Sequence, residues 1–125
     1  ITPRSTSSKI LVQVSVDGSA STNYGVAHLQ LQRDGSPVGV GDAAGSRSRI
    51  TAQAVSNTNN SNDVGNANKT FLDSPNTTSS ITYGVKLHNE TSSTQTLYVN
   101  RSSVDSDLVR KGRSISTITL MEVAG

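Results

Sequence analysis

Residues 9–16 read KILVQVSV, and this stretch decides the fold class. Its apolar side chains occupy alternate positions, with Ile10, Val12, Val14 and Val16 on one face. An apolar repeat of period two is typical of a β-strand that is buried on one side, whereas an amphipathic helix repeats its apolar positions every three to four residues. The stretch therefore predicts a strand with one face in the core.

The same alternation recurs along the chain, and no window shows a sustained helical period. Further strands are predicted over residues 26–33, 36–40, 49–55, 69–72, 81–88, 95–100 and 114–123. Asp34-Gly35 is a hairpin signal between the second and third of the eight strands, because both residue types tolerate a positive φ. The last strand is apolar on both faces, which is typical of a central strand or of one covered by a partner.

Ser, Thr and Asn make up more than a third of the 125 residues, and they favour turns and strands over helices. The sequence thus predicts a single all-β domain over residues 1–125, a β-sandwich or jelly-roll-like fold of about eight antiparallel strands. Residues 1–7 are a candidate N-terminal extension or linker from a longer chain. Residues 56–68 (SNTNNSNDVGNAN) are predicted to form a long loop, interpreted either as a simple connection or as a surface for binding.

Composition excludes several classes of protein. Hydrophobic residues are only 32% of the chain, so a core shared between copies is expected. There is no Cys, which excludes disulfides and thiolate chemistry, and no apolar run long enough for a membrane-spanning helix. The chain has a net charge of +2 and 3% aromatic residues. It therefore lacks the basic face and the stacking rings that are typical of a nucleic-acid-binding module. We expect neither membrane insertion nor nucleic-acid binding.

Side chains that carry chemistry are few. His28 and His88 both lie inside predicted strands, away from any nucleophile motif. Asp105 and Asp107 could flank a cation, but they lack the dense oxygen ligands of a calcium loop. The stretch GVGDAAG, residues 39–45, is interpreted as a Gly-rich turn because it does not lead from a strand into a helix. We expect no enzyme activity, no cofactor and no metal.

Three stretches are more specific than their composition: TFLDSPNTTSSITYGV at 70–85, LYVNRSSVDSD at 97–107 and SISTITLMEVA at 114–124. Two earlier stretches fit the same pattern, SSKILVQVSV at 7–16 and LQLQRDGSPVGVGDAAGSR at 29–47. Their order resembles a domain of tailed-bacteriophage virion proteins, above all those of marine and cyanobacterial phages, which lies at the end of tail fibres or other appendages. The resemblance runs from residue 7 to residue 124 and is weakest over 56–68.

The resemblance implies a trimeric β-sandwich knob on the outside of the virion. Its expected partners are two further copies of the chain, other virion proteins and a host cell-surface glycan or protein. The alternative is a purely structural module that decorates a capsid or trimerises a fibre. The candidate binding residues are two aromatic rings and three loop amides: Tyr24, Tyr98, Asn59, Asn60 and Asn62.

Two residues of the matching stretches have predicted structural roles. Asp73 is expected to cap the turn that follows its strand, where Pro75 ends the ladder. Arg101 is expected to pair with Asp105, Asp107 or Glu122, and Glu122 is favoured because a buried charge needs a partner.

Overall fold

The computed structural model describes residues 1–21, 26–56, 64–89 and 94–125, and the secondary structure in these residues is β. Eight strands follow one another: β1 (Lys9–Ala20), β2 (Val26–Arg33), β3 (Ser36–Pro37), β4 (Ala52–Ser56), β5 (Gly65–Asp73), β6 (Tyr83–Asn89), β7 (Leu97–Val99) and β8 (Thr117–Val123). The prediction of an all-β fold with about eight strands is confirmed.

The strands form two antiparallel sheets of four. In the first sheet, β1 is central, with β5 along one edge and with β8 and β7 sharing the other edge. In the second sheet, β2 is central, with β6 on one side and with β4 and β3 on the other. Two of the alternating stretches of the sequence, 9–16 and 26–33, thus belong to the two central strands.

The core lies between the inner faces of β1 and β2. Ile10 and Val12 of β1 and Leu29 of β2 have no exposed surface, and Leu31 is 1% exposed. Each such side chain contributes about 1.5–3 kcal/mol on burial. Because residues of both sheets belong to the same two apolar clusters, the sheets pack face to face as a sandwich.

Strand β5 extends into the region that was predicted to be a loop. The expected strand covered 69–72, but β5 begins at Gly65. The loop prediction for 56–68 is therefore wrong over residues 65–68 and also at Ser56, which is the last residue of β4. Ala67 is buried opposite Val16, and Asn66 donates a side-chain hydrogen bond to Ser15 Oγ of 3.0 Å and another to Asp17. Polar residues remain in the strand because they face outward and bond across it.

Strand β8 occupies an edge of its sheet. Among the described strands it pairs with β1 alone, because β5 fills the other side of β1. The interpretation of β8 as a central strand is therefore wrong. Its apolar side chains stay accessible on both faces: Ile118 is 43% exposed on the inner face and Met121 45% on the outer face.

The sandwich has two distinct ends. What we call the loop end is formed by Ala20, Val26, Ser56, Gly65, Asn89 and Leu97, which the strand registers place together. The opposite, closed end holds Lys9, Arg33, Asp73, Tyr83 and Val123. Both chain ends lie at the closed end, where Ile1 and Ile81 exchange backbone hydrogen bonds and Ser7 Oγ donates to the carbonyl of Gly125.

The Asp34-Gly35 hairpin forms as predicted at the closed end. Both residues have positive φ angles, 48° and 79°, and Arg33 pairs with Ser36 across a two-residue turn. The strand that follows is shorter than the expected 36–40, because it ends at Pro37.

Candidate functional site

The candidate site is the loop end of the sandwich. Tyr24, Asn59, Asn60 and Asn62 lie outside the described residues. Four strand ends of the loop end flank their segments: Ala20 and Val26 lie on either side of the first, and Ser56 and Gly65 on either side of the second. Tyr98, the fifth predicted residue, lies on β7 opposite Ser19, close to the same end. The strands that precede and follow the four undescribed candidates therefore end or begin near Tyr98.

Tyr98 carries a cation on one face of its ring. The Arg101 guanidinium carbon lies 4.1 Å from the ring centroid, which is a cation–π geometry. Arg101 also lies 3.8 Å from Asp105, which accepts a hydrogen bond of 2.7 Å from Arg113. Arg101 therefore occupies one face of the Tyr98 ring, and a ligand ring could not stack on that face without displacing it.

The backbone around this pair is tied to the sheet. Ser19 Oγ donates to the Arg101 carbonyl at 3.0 Å, and the Asn100 amide donates to the Asp17 carbonyl at 2.9 Å. Ser102 is buried, and its hydroxyl donates to the Val104 carbonyl at 2.9 Å. These hydrogen bonds therefore hold the backbone that carries the Tyr98 and Arg101 side chains.

The predicted pair of Arg101 with Glu122 is not formed. Glu122 lies opposite Ile10 at the closed end, whereas Arg101 follows β7 beside the loop end. Glu122 accepts a hydrogen bond of 2.6 Å from the Arg4 backbone amide, and this bond, with a second from the Ser8 side chain, lowers the pKa of Glu122. Its partner is the N-terminal segment, and Asp105 is the carboxylate that Arg101 approaches.

Asp73, Tyr83 and Arg33 form a polar bridge between the two sheets at the closed end. Arg33 Nη1 donates to both carboxylate oxygens of Asp73, at 3.0 and 2.8 Å, and the Tyr83 hydroxyl donates at 2.5 Å. Asp73 also accepts a hydrogen bond of 2.9 Å from the backbone amide of Ser74, the next residue in the chain. This bridge was not predicted from the sequence. A signal for it was present, because Arg33 follows Leu29 and Leu31 at alternate positions and therefore points toward the core.

This bridge predicts an alkaline loss of stability. Burial, and then the hydrogen bond to Asp73, raise the pKa of Tyr83 above its ordinary value of 10.0. Above about pH 10 the unfolded chain therefore loses a proton that the folded chain keeps, so stability falls as pH rises, by at most about 1.4 kcal/mol per pH unit. Urea unfolding of the wild type and of Tyr83→Phe on both sides of pH 10 tests this. The stability advantage of the wild type should shrink with pH, and a constant difference would contradict the prediction.

An apolar groove opens between β6 and β8, each of which pairs with only one strand among those described. This β6–β8 groove has a volume of about 250 Å³ and is lined by Val14, Val16, Gly84, Val85, Ser116, Thr117 and Ile118. Val85 and Ile118 are 41% and 43% exposed at its mouth. The opposite side of the sandwich is closed, because β4 lies against β5.

Clusters of three or more His, Asp or Glu side chains that could hold a metal ion are absent from the described part of the chain. Asp105 forms a salt bridge with Arg113, so a cation between Asp105 and Asp107 would have to compete with that guanidinium. Gly39 has a positive φ in the turn after β3 and packs on Phe71. No helix in the described residues is long and apolar enough to cross a membrane.

The fold and the site define an all-β sandwich with a loop-bearing end. Comparisons with protein-family models, with curated proteins and with solved structures gave no match.

Proposed function

We propose that this chain is a non-enzymatic module on the exterior of a virion, at the tip of a tail fibre or another appendage, and that it binds a receptor or glycan on the host cell surface. The observation that carries the proposal is the loop end. The strand ends that flank residues 22–25, 57–63 and 90–93 lie together there, beside the Tyr98–Arg101 pair and opposite the closed end. Loops on a rigid β-scaffold are the usual location of binding residues.

The chemistry of the loop end suits a polar or glycan ligand. Its flanking connections contain the candidate amides Asn59, Asn60 and Asn62, which can both donate and accept hydrogen bonds. Tyr98 supplies an aromatic ring, and the Arg101 guanidinium supplies a cation on one face of that ring. The order of the five sequence stretches that resemble phage appendage domains supports the same function.

We further propose that the chain acts as a homotrimer and that the β6–β8 groove is the contact between copies. The groove exposes Val85 and Ile118 between two strand edges that have no other partner among the described strands. Exposed apolar edges of this kind promote association unless they are covered. A second copy would cover the groove and enlarge a core that is built from few apolar residues.

Light scattering over a dilution series tests the trimer. We expect a mass of three times 13.1 kDa for the wild type and a monomer for Val85→Lys, which places an ammonium in the groove. Val109→Lys is the matched control, because Val109 is fully exposed outside the groove, and it should remain trimeric. A wild-type monomer at every concentration would overturn the oligomer, and dissociation of both variants would show that the groove is not the contact.

Cell binding tests the receptor function. The fluorescently labelled chain is applied to a panel of cyanobacterial and other marine bacterial strains, and binding to at least one strain is expected. Tyr98→Ala or Tyr24→Ala should abolish that binding, whereas Tyr98→Phe retains the ring as a control. A stable trimer that binds no strain would favour the alternative, a structural module for capsid decoration or fibre trimerisation, which the apolar β6–β8 groove also supports.

A further inference from the structure

The outer face of the second sheet carries the two histidines of the chain side by side. Ala27, Leu29 and Leu31 of β2 are buried in the core. Because side chains alternate along a strand, His28 and Gln30 lie on the outer face. The register of β6 places His88 directly opposite His28, and Lys86 opposite Gln30. Two imidazoles far apart in sequence are thus brought together by strand pairing.

The geometry of this pair suits a shared ligand. Directly opposed residues in an antiparallel sheet have Cβ atoms about 4.5–5.5 Å apart, so two imidazole nitrogens can reach one ion at metal–nitrogen distances of about 2.0–2.1 Å. A third donor is adjacent, because His88 Nε2 and Gln30 Oε1 form a hydrogen bond of 3.3 Å, and an ion bound between them would replace this bond. Gln53 of β4 pairs with His28 on its other side and adds a further amide.

We propose that His28 and His88 form a binding site for a divalent late transition-metal ion, such as Ni²⁺, Cu²⁺ or Zn²⁺, with the Gln30 amide oxygen as a neighbouring donor and water completing the coordination. Imidazole nitrogen suits these ions, whereas Mg²⁺ and Ca²⁺ require sets of oxygen ligands. The site uses two histidines of one chain, and it is independent of the receptor and trimer proposals.

Two features of the sheet shape the affinity of the site. The imidazoles project from neighbouring strands, β2 and β6, whose hydrogen-bonded register fixes their spacing before the ion arrives. Binding therefore requires rotation of side chains but no rearrangement of the backbone. Lys86 lies on the same outer face, and its positive charge opposes a divalent cation. These features predict that the site binds the ion specifically and that the bound ion exchanges with ions in solution.

Isothermal titration with Ni²⁺ at neutral pH tests the proposal. We expect one Ni²⁺ per chain and at least about a tenfold weaker affinity in His28→Gln and in His88→Gln, because each variant removes one ligand. Lys86→Gln is the matched control on the same strand and should bind at least as tightly as the wild type. Circular dichroism establishes that each variant is folded. Mg²⁺ in excess should not compete.

Several outcomes would overturn the site. The chain contains two histidines in total, so an affinity for Ni²⁺ that persists in the His28→Gln, His88→Gln double variant would come from other groups. No saturable binding to the folded wild type would also reject it. A stoichiometry of one Ni²⁺ per three chains would place the ion between copies instead. None of these results would alter the outcome of the dilution series or of the cell-binding assay.

Discussion

Replacing Asp73 with alanine is expected to lower the free energy of unfolding by about 3 kcal/mol, at the lower end of the range for breaking a buried ion pair. The Asp73 side chain is 8% exposed, and it accepts hydrogen bonds from Arg33 and Tyr83. Its removal leaves a buried phenol and a guanidinium without their acceptor. Because Arg33 is 32% exposed, water solvates part of its charge, which keeps the cost from rising further.

Urea unfolding followed by circular dichroism, at one fixed protein concentration, measures this effect. Asp42→Ala is the matched control, since Asp42 is an exposed carboxylate in the turn region and its removal should change stability by less than about 0.5 kcal/mol. The double variant Asp73→Ala, Arg33→Met should cost less than the two single changes added together, because it removes the stranded charge. Equal losses from Asp73→Ala and Asp42→Ala would contradict the role assigned to the bridge.

Replacing Gly39 with alanine is expected to cost about 2–5 kcal/mol, from two separate causes. Gly39 has a φ of +58°, a conformation that side chains with a Cβ rarely adopt. A Cβ at this position would also lie 2.9 Å from Cγ of the Phe71 ring, so the ring must shift. Phe71 is packed against the apolar cluster around Ile10 and Leu31, and its displacement therefore disturbs the core.

Gly45→Ala separates the two causes. Gly45 has nearly the same φ, +60°, but a Cβ there would meet nothing within 4 Å. It should therefore show only the backbone penalty, about 1–2 kcal/mol. The midpoint and slope of urea unfolding, compared among the wild type and the two variants, give the difference. Equal costs at the two glycines would mean that Phe71 moves aside freely.

The local patterns predicted most of the fold and little of the site. The alternation in 9–16 and 26–33 located the two central strands, because a strand buried on one face must alternate. The same reasoning failed at 65–68, where a polar segment becomes strand by pairing with residues 15–18 of β1. Strand pairing joins residues that are distant in sequence, so the pattern within a short stretch of sequence does not show it.

The site depends still more on pairing. Tyr98 is a candidate as an aromatic ring, and its cation–π contact with Arg101, three residues later, was not predicted even though it is local. The Arg101–Glu122 pair was a reasonable choice among three carboxylates, and it failed because β7 and β8 meet opposite halves of β1. The adjacency of His28 and His88 likewise exists only through the register of β2 and β6.

Composition and residue period established the all-β class, the phase of the central strands and the Asp34-Gly35 turn, because these depend on interactions between residues close together in the chain. The tertiary structure determines which described strands are edges, which strand ends lie together at the loop end, and how Asp73, Arg33 and Tyr83 meet. Those features come from contacts between residues distant in sequence, and their energies depend on burial and geometry that exist only once the two sheets have packed.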